Sequence, residues 1–296
     1  MIYYAVKANP APPILKELAA LGSRFDAASL LENGTARQKY RSVIVDEGQD
    51  MGTEAFIMLR SLVPKESNDL FIVGDGHQRI YSRQAVMSKC GINIRGRGRK
   101  LKINYRTTEQ TRRFASAILK DISVDDMDGS LDSGSDYHSL TQGDNPAISL
   151  FNSLSEECEW IRANITMLTA VGVELRYICI VTRTRRQRDL LLSFFKRSGM
   201  PVVELRQGCD ERSKPGVRFS TMHRVKGLEF RYVFIASVNE GLVPLESALN
   251  STDDIVEKRA KDVNERALIH VAATRAMKQL YISCSAQPSI YLENVI

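Results

Sequence analysis

Long hydrophobic runs are missing from this sequence: no apolar stretch approaches the roughly 18 residues that a membrane helix needs. The N-terminus has no basic region followed by an apolar stretch, so no secretory signal is expected. Cysteine is sparse. The five residues (Cys90, Cys158, Cys179, Cys209 and Cys284) are too scattered for a metal or redox motif. Cys179 and Cys284 fall inside apolar, strand-like runs and read as core thiols, which suits a reducing, cytoplasmic compartment. Also missing is any Gly-rich loop ending in Lys-Ser/Thr, the backbone cradle that holds nucleotide phosphates. No internal repeat is visible.

What is present is enough chain for one large or two medium domains, 296 residues with 43% hydrophobic content. The net charge of +6 suits a polyanionic partner. Its distribution is uneven. From Arg79 to Arg113 there are eleven Lys/Arg and one acid, Glu109, whereas from Asp121 to Asp144 there are seven Asp and no Lys or Arg. The basic stretch suits nucleic-acid phosphates; its alternative is a solvated surface. The acidic Gly/Ser/Asp stretch 121–145 reads as a mobile loop or linker. Asp126, Asp128 and Gly129 imitate part of a calcium loop, but Val124 and Ser135 hold its first and twelfth positions, which excludes calcium.

Residues 1–38 read as a short strand, a helix over Ile14–Leu21 and a turn at Asn33-Gly34-Thr35, with a boundary after them. Strands are then expected at 42–46, 70–74, 147–151, 176–182, 217–221, 231–236 and 279–283. Helices are expected at 53–62, 108–120, 154–170, 186–198 and 254–275. Thr107 with Gln110, and Ser153 with Glu156, have capping-box spacing. The alternation predicts an α/β fold with mostly parallel sheets.

Five segments carry chemistry. Val43-Ile44-Val45-Asp46-Glu47-Gly48-Gln49-Asp50 is an apolar strand ending in two carboxylates. A strand-end Asp46 suits Mg²⁺, and Glu47 suits the orientation or deprotonation of a water. Leu70-Phe71-Ile72-Val73-Gly74-Asp75-Gly76-His77-Gln78 repeats the pattern. Gln78 can sense a terminal phosphate, and Tyr81 can stack a base or simply pack. In Ile103-Asn104-Tyr105-Arg106-Thr107, Arg106 stands just before a helix N-terminus and suits a phosphate, and Tyr105 suits adenine stacking. Thr221, His223 and Lys226 are donors on one turn, fit for a nucleic-acid backbone. Gly227 permits that turn, and Glu229 can accept from a ribose hydroxyl. Arg275, in Val271-Ala272-Ala273-Thr274-Arg275, suits an arginine finger at the end of a close-packed helix. Each has a plain alternative: a polar turn after a strand, a packing aromatic, a surface arginine, a structural histidine.

In this order the five segments resemble superfamily I helicases of the UvrD/Rep type, from about Lys39 to Tyr291. The resemblance implies RecA-like P-loop NTPase layers, ATP and Mg²⁺ as cofactors, and single-stranded DNA or DNA junctions as partners. It makes Asp46 the Mg²⁺ ligand and Glu47 the group that serves the attacking water. Gln78, Arg106 and Arg275 would meet the γ-phosphate, Tyr105 the base and Glu229 the ribose. Tyr81, Arg83, Thr221, His223 and Lys226 would face DNA, with Arg83 standing where many relatives carry a stacking Trp. Gly48 replaces the usual Ala. The implied layout is a partial first RecA-like domain with crossover over 39–120, an acidic linker over 121–146 and a second RecA-like domain over 147–296. The expected activity is that of an ATP-dependent 3′→5′ DNA helicase in a truncated form lacking the phosphate loop. A separate chain could supply that loop. The alternative is a non-catalytic DNA-binding or regulatory module. Tyr3-Tyr4-Ala5-Val6-Lys7-Ala8-Asn9-Pro10 resembles the barrel start of ornithine/diaminopimelate-type pyridoxal-phosphate decarboxylases, with Lys7 as the Schiff-base lysine. The rest of that barrel is not here, so 1–38 is expected to be a fused fragment with Lys7 idle.

Overall fold

The computed structural model describes residues 40–80, 85–120, 122, 124–125, 131–132, 137–205 and 210–293. The readings made for residues 1–38 lie outside them. The chain divides into two compact units: Met1–Lys100 with Ser123–Ser133, and Leu101–Ile122 with Gly134–Ile296.

In the first unit, strand β1 (Val43–Val45) pairs in parallel with β2 (Leu70–Ile72), in the register Val43↔Leu70, Ile44↔Phe71 and Val45↔Ile72. Helix α1 (Thr53–Ser61) lies between them in sequence. Alternation along β1 turns Val43 and Val45 inward, where they join Phe56, Val63, Met87, Cys90 and Ile92 in a small core. The same alternation leaves Ile44 and Phe71, which are paired across the sheet, 53% and 64% exposed. Arg60 closes the edge of this core by an ion pair to Asp69 at 2.6 Å and by donating to the Val63 and Pro64 carbonyls. A two-residue antiparallel pair, β4 (Val124–Asp125) with β5 (Leu131–Asp132), belongs to the same unit.

The second unit is built on a six-stranded sheet. Its strands are β7 (Ala147–Leu150), β8 (Ile178–Thr182), β9 (Val202–Glu204), β10 (Val217–Thr221), β11 (Phe230–Ile235) and β12 (Ala276–Cys284), in the order β7-β12-β11-β8-β10-β9 with every pair parallel. Every residue of β8 and β10 is buried, as expected of parallel strands covered on both faces. Helices α3 (Leu154–Ala170) and α4 (Arg185–Arg197) bury Ile161, Ile165, Leu191 and Phe195 against Ile178, Ile180, Phe219 and Phe234. Ser153 caps α3 by accepting from the Glu156 N–H at 3.2 Å, as its spacing predicts. Thr184 caps α4 by accepting from the Gln187 N–H at 3.2 Å. A short α5 (Glu246–Leu249) precedes α6 (Ile255–Ala273), which packs against β11 and β12.

Two sequence expectations change. Residues 103–108, where no strand was expected, form strand β3 (Ile103–Thr108), paired in parallel with β6 (His138–Thr141). The end of the acidic stretch is therefore built into the second unit instead of forming a linker. Helix α2 (Glu109–Ile118) starts one residue later than the capping-box spacing suggested: Thr108, not Thr107, caps it by accepting from the Thr111 N–H. By compactness, Leu101–Ile122 groups with the second unit. The reason is α2. His270 of α6 meets the Ala115 carbonyl at 3.0 Å, and Arg266 of α6 donates to the Ile118 carbonyl at 3.1 Å.

Candidate functional site

The parallel pairing of β1 with β2 brings Asp46-Glu47 and Val73-Gly74-Asp75 to one carboxyl edge, where ligands of such sheets bind. Two backbone bonds fix the edge: Val73 donates to the Val45 carbonyl at 2.8 Å, and Gly48 donates to the Val73 carbonyl at 2.9 Å. Asp46 is exposed, and its Oδ1 accepts from the Glu47 N–H at 2.9 Å. Glu47 sits in the left-handed region (φ 54°, ψ 39°), a conformation that costs a non-glycine residue on the order of 1 kcal/mol and is retained where the surroundings impose it.

A chain of side-chain hydrogen bonds imposes it here. Gln49 is 2% exposed. Its Nε2 donates to Glu47 Oε2 at 2.5 Å, and its Oε1 accepts from the Asp75 N–H at 3.0 Å. Asp75 Oδ1 accepts from the His77 N–H at 2.9 Å, and Asp75 Oδ2 accepts from Gln78 Nε2 at 2.9 Å. Glu47, Gln49, Asp75 and Gln78 thus form one relay across the two strand ends. The sequence singles out Glu47 and Gln78 as site residues; it does not reveal Gln49 and Asp75 as the pieces joining them. Their regular placement after two apolar strands was the available signal.

In the second unit, β3 presents Tyr105 (73% exposed) and Arg106. Arg106 Nε pairs with Glu229 Oε1 at 2.6 Å, with both side chains partly open to solvent. Asn104 shapes this bend: its Oδ1 accepts from the Arg106 N–H at 2.8 Å and its Nδ2 donates to Thr107 Oγ1 at 2.6 Å.

Thr221 ends β10, and His223, Lys226 and Glu229 lie on the turn between β10 and β11. Met222 donates to the Thr182 carbonyl at 2.9 Å, Val225 to the Thr221 carbonyl at 3.0 Å and Leu228 to the Val225 carbonyl at 3.1 Å. Gly227 adopts φ +80° there, which suits glycine. The carboxyl ends of β8 and β10 meet at this turn, and Arg183, just past β8, lies close enough to act on His223. Burial first, then the Arg183 charge, lowers the His223 pKa, against the opposing pull of Glu265. At neutral pH His223 is therefore a neutral imidazole that can both donate and accept. Arg183 is held by Glu265 of α6 through two hydrogen bonds at 2.8 and 2.5 Å, and Glu265 also accepts from the Leu245 N–H at 3.0 Å. Sequence reading missed this pair, because 82 residues separate its members.

Arg275 lies past the end of α6 and is 2% exposed. Its Nε donates to the Val271 carbonyl at 3.0 Å, and its Nη2 donates to Thr274 Oγ1 at 3.2 Å. Within this unit the guanidinium is folded back on the helix that precedes it, a different posture from an arginine extended off a helix. Tyr81, Arg83 and Lys7 lie outside the described residues.

The donor set fits the implied nucleotide and cation in part. Asp46 presents an exposed carboxylate at a strand end, an oxygen donor of the kind that Mg²⁺ takes alongside waters and phosphate. Arg106 and Glu229 fit less well as they stand. Their implied targets are opposite ends of a nucleotide, yet here they satisfy each other.

Parallel α/β layers with acids and amides at the carboxyl ends of strands are an arrangement in which ligands of such sheets bind. The comparisons make the class specific. The UvrD-like helicase C-terminal domain matches residues 99–208 and 203–287, and the UvrD/REP helicase N-terminal domain matches residues 20–89. The chain belongs to the UvrD-like DNA helicase family, and its α/β layers are the expected RecA-like ones.

It is 25% identical over 286 residues to DNA helicase IV of Escherichia coli, covering 92% of this chain and 38% of that protein. It is 28% identical over 209 residues to the mitochondrial ATP-dependent DNA helicase HMI1 of Saccharomyces cerevisiae, covering 66% of this chain and 28% of that protein. Among solved structures, the C-terminal domain of a possible DNA helicase from a Lactobacillus aligns with a TM-score of 0.47 at 20% identity, covering 65% of this chain and 94% of that one. The chain thus spans well under half the length of these curated relatives. The N-terminal match begins at residue 20, inside the stretch 1–38 that resembles a decarboxylase, and none of these matches supports that resemblance.

Proposed function

We propose that this chain carries the ATP-hydrolysing and DNA-contacting elements of a UvrD/Rep-type helicase that moves 3′→5′, without the phosphate loop among its 296 residues. The observation that carries the reading is the relay Glu47–Gln49–Asp75–Gln78. It ties a carboxylate suited to orienting water to an amide suited to sensing a terminal phosphate, so that a change at one end is felt at the other. Asp46 would hold Mg²⁺, which when bound neutralises phosphate charge. Arg106 and Arg275 would bind phosphate oxygens, Tyr105 would stack a base and Glu229 would accept from a ribose. For Arg106 and Glu229 to do this, their ion pair opens. Both side chains are more than a third exposed, so solvent screening keeps that cost under about 1 kcal/mol. Thr221, His223 and Lys226 would grip the DNA backbone, together with Tyr81 and Arg83.

Without a lysine and backbone amides around the β- and γ-phosphates, the chain alone is expected to hydrolyse ATP poorly or not at all. A second polypeptide bearing the loop would supply that clamp, and the exposed apolar pair Ile44 and Phe71, on a kind of sheet normally covered on both faces, would be a surface for it to cover. The test is ATP turnover by the purified chain, with and without single-stranded DNA. Strong DNA-stimulated turnover, abolished by Glu47→Gln, would refute the expectation of low intrinsic activity. Absence of DNA binding would refute the helicase-element reading itself. A second reading, a DNA-binding module without turnover, is favoured by the second unit carrying Thr221, His223 and Lys226 on its own six-stranded sheet, while Asp46 and Glu47 belong to the first unit. It predicts salt-sensitive DNA binding with no ATP consumption.

A further inference from the structure

We infer that the turn carrying Arg95, Arg97 and Arg99 in the first unit is a docking strip for the phosphate backbone of duplex DNA, separate from the turn of Thr221, His223 and Lys226; this rests on the DNA-helicase reading above. From Arg79 to Lys100 the sequence contains no acid. Residues 95–100 are all exposed, although the chain just before them is anchored. Ile92 is 5% exposed, and Ile94 packs against the core of Val43, Val45 and Phe56. The turn is closed by Arg97 donating to the Ile94 carbonyl at 3.0 Å, and Gly96 takes φ +70° within it. A side chain built at Gly96 or Gly98 would meet nothing, so the spaces between the arginines open to solvent.

The guanidiniums are not committed to the protein's own acids. Arg97 Nη1 reaches the Asn93 carbonyl at 3.4 Å and Arg99 Nη1 the Gly98 carbonyl at 3.5 Å. Among the described residues neither these two nor Arg95 pairs with a carboxylate. Three unpaired guanidiniums on an anchored turn suit a line of phosphates, each arginine offering a donor fork to non-bridging oxygens.

The choice of duplex over single strand follows from composition. Sequence-independent single-strand binding draws on aromatic platforms for unstacked bases, and 95–102 contains no aromatic residue. Phosphate contact alone positions a protein on a duplex, whose backbone carries one charge per about 1.7 Å of axis.

The test is a salt titration of the 296-residue chain against a fluorescent duplex and against a single strand of the same length. The variants are Arg95→Gln/Arg97→Gln/Arg99→Gln and, as a charge-matched control, Arg186→Gln/Lys196→Gln/Arg197→Gln on the exposed face of α4. With three phosphate contacts removed, the slope of log K against log salt for the duplex should flatten by about 2.7. The single-strand slope and the control variant should keep wild-type behaviour. An unchanged duplex slope with normal wild-type binding overturns this inference alone. An equal loss on the single strand overturns the assignment to duplex, and an equal loss in the control reduces the strip to general net charge. Wild-type protein that binds no DNA overturns both this inference and the helicase-element reading.

Discussion

Glu109 ties two elements of the second unit together through its ionised carboxylate. Its carboxylate accepts from Arg112, from Arg113 and from the Ser139 N–H, all within 2.8 Å, tying the start of α2 to β6. The hydrogen bonds from Arg112 outweigh burial and lower its pKa to about 2. A carboxylate lowered in the folded state contributes stability that is fully present above its ordinary value near 4.5 and is lost as the pH falls through 2. Glu109→Gln should therefore cost about 2 kcal/mol at neutral pH, and the difference from wild type should shrink as denaturation is followed from pH 4.5 toward 2. A gap constant across that window would show that packing, not charge, is what the variant loses.

At the same scale, Cys158 and Cys284 are buried, and burial followed by the nearby Glu157 charge raises both thiols to about 12. In the folded protein near neutral pH both should resist iodoacetamide and react once the chain is unfolded, as mass spectrometry would reveal. Modification of either in the native state would contradict the buried placement. Cys284 was legible as a core thiol because it lies in an apolar run. Cys158 was not, because its neighbours Glu157 and Glu159 disguise the inward face of α3. Glu157 itself is wholly buried and held by the Ser237 N–H and by the hydroxyls of Ser237 and Ser283.

Among the elements, strands with continuous burial were readable and exposed ones were not. β8 and β11 announce themselves as largely apolar runs of the length a covered parallel strand requires, whereas β10 reads Val-Arg-Phe-Ser-Thr and buries Arg218 against Asp210. β3 reads Ile-Asn-Tyr-Arg-Thr-Thr and is open to solvent over much of its length, so neither a run nor an alternation marks it. Its partner β6 hides at the end of an acidic stretch whose composition argues for a loop. What holds that partner is close contact: Gly143 donates to Gln110 Oε1 at 2.9 Å, and a Cβ at Gly143 would stand 2.6 Å from Thr108 Cγ2, on the residue that caps α2. Gly143→Ala should lower stability by about 1–3 kcal/mol through overpacking and a disturbed cap, read as a lower thermal midpoint. An unshifted midpoint would mean the segment moves aside without loss.

For the whole molecule, a net charge of +6 over two compact units predicts binding to DNA that is dominated by phosphate. If roughly six phosphates are neutralised, affinity should fall on the order of 10³-fold between about 50 and 200 mM salt. A flat response would exclude backbone tracking as the main mode. At this scale the motif order was legible, since the polar strings follow apolar runs or stand beside helix ends in the sequence itself. The division into units was not, because it depends on α2 packing against a helix nearly 150 positions further along.

The clasp between Arg106 and Glu229 has a consequence for selectivity. A lone guanidinium attracts any small anion in its surroundings, chloride and free phosphate included. Here each such visitor must first displace a tethered carboxylate, which is then left to water. A molecule with an anionic end and a hydroxyl-bearing end would engage both halves of the opened clasp together, giving it an edge of less than about 1 kcal/mol over a small anion before any other contact is made.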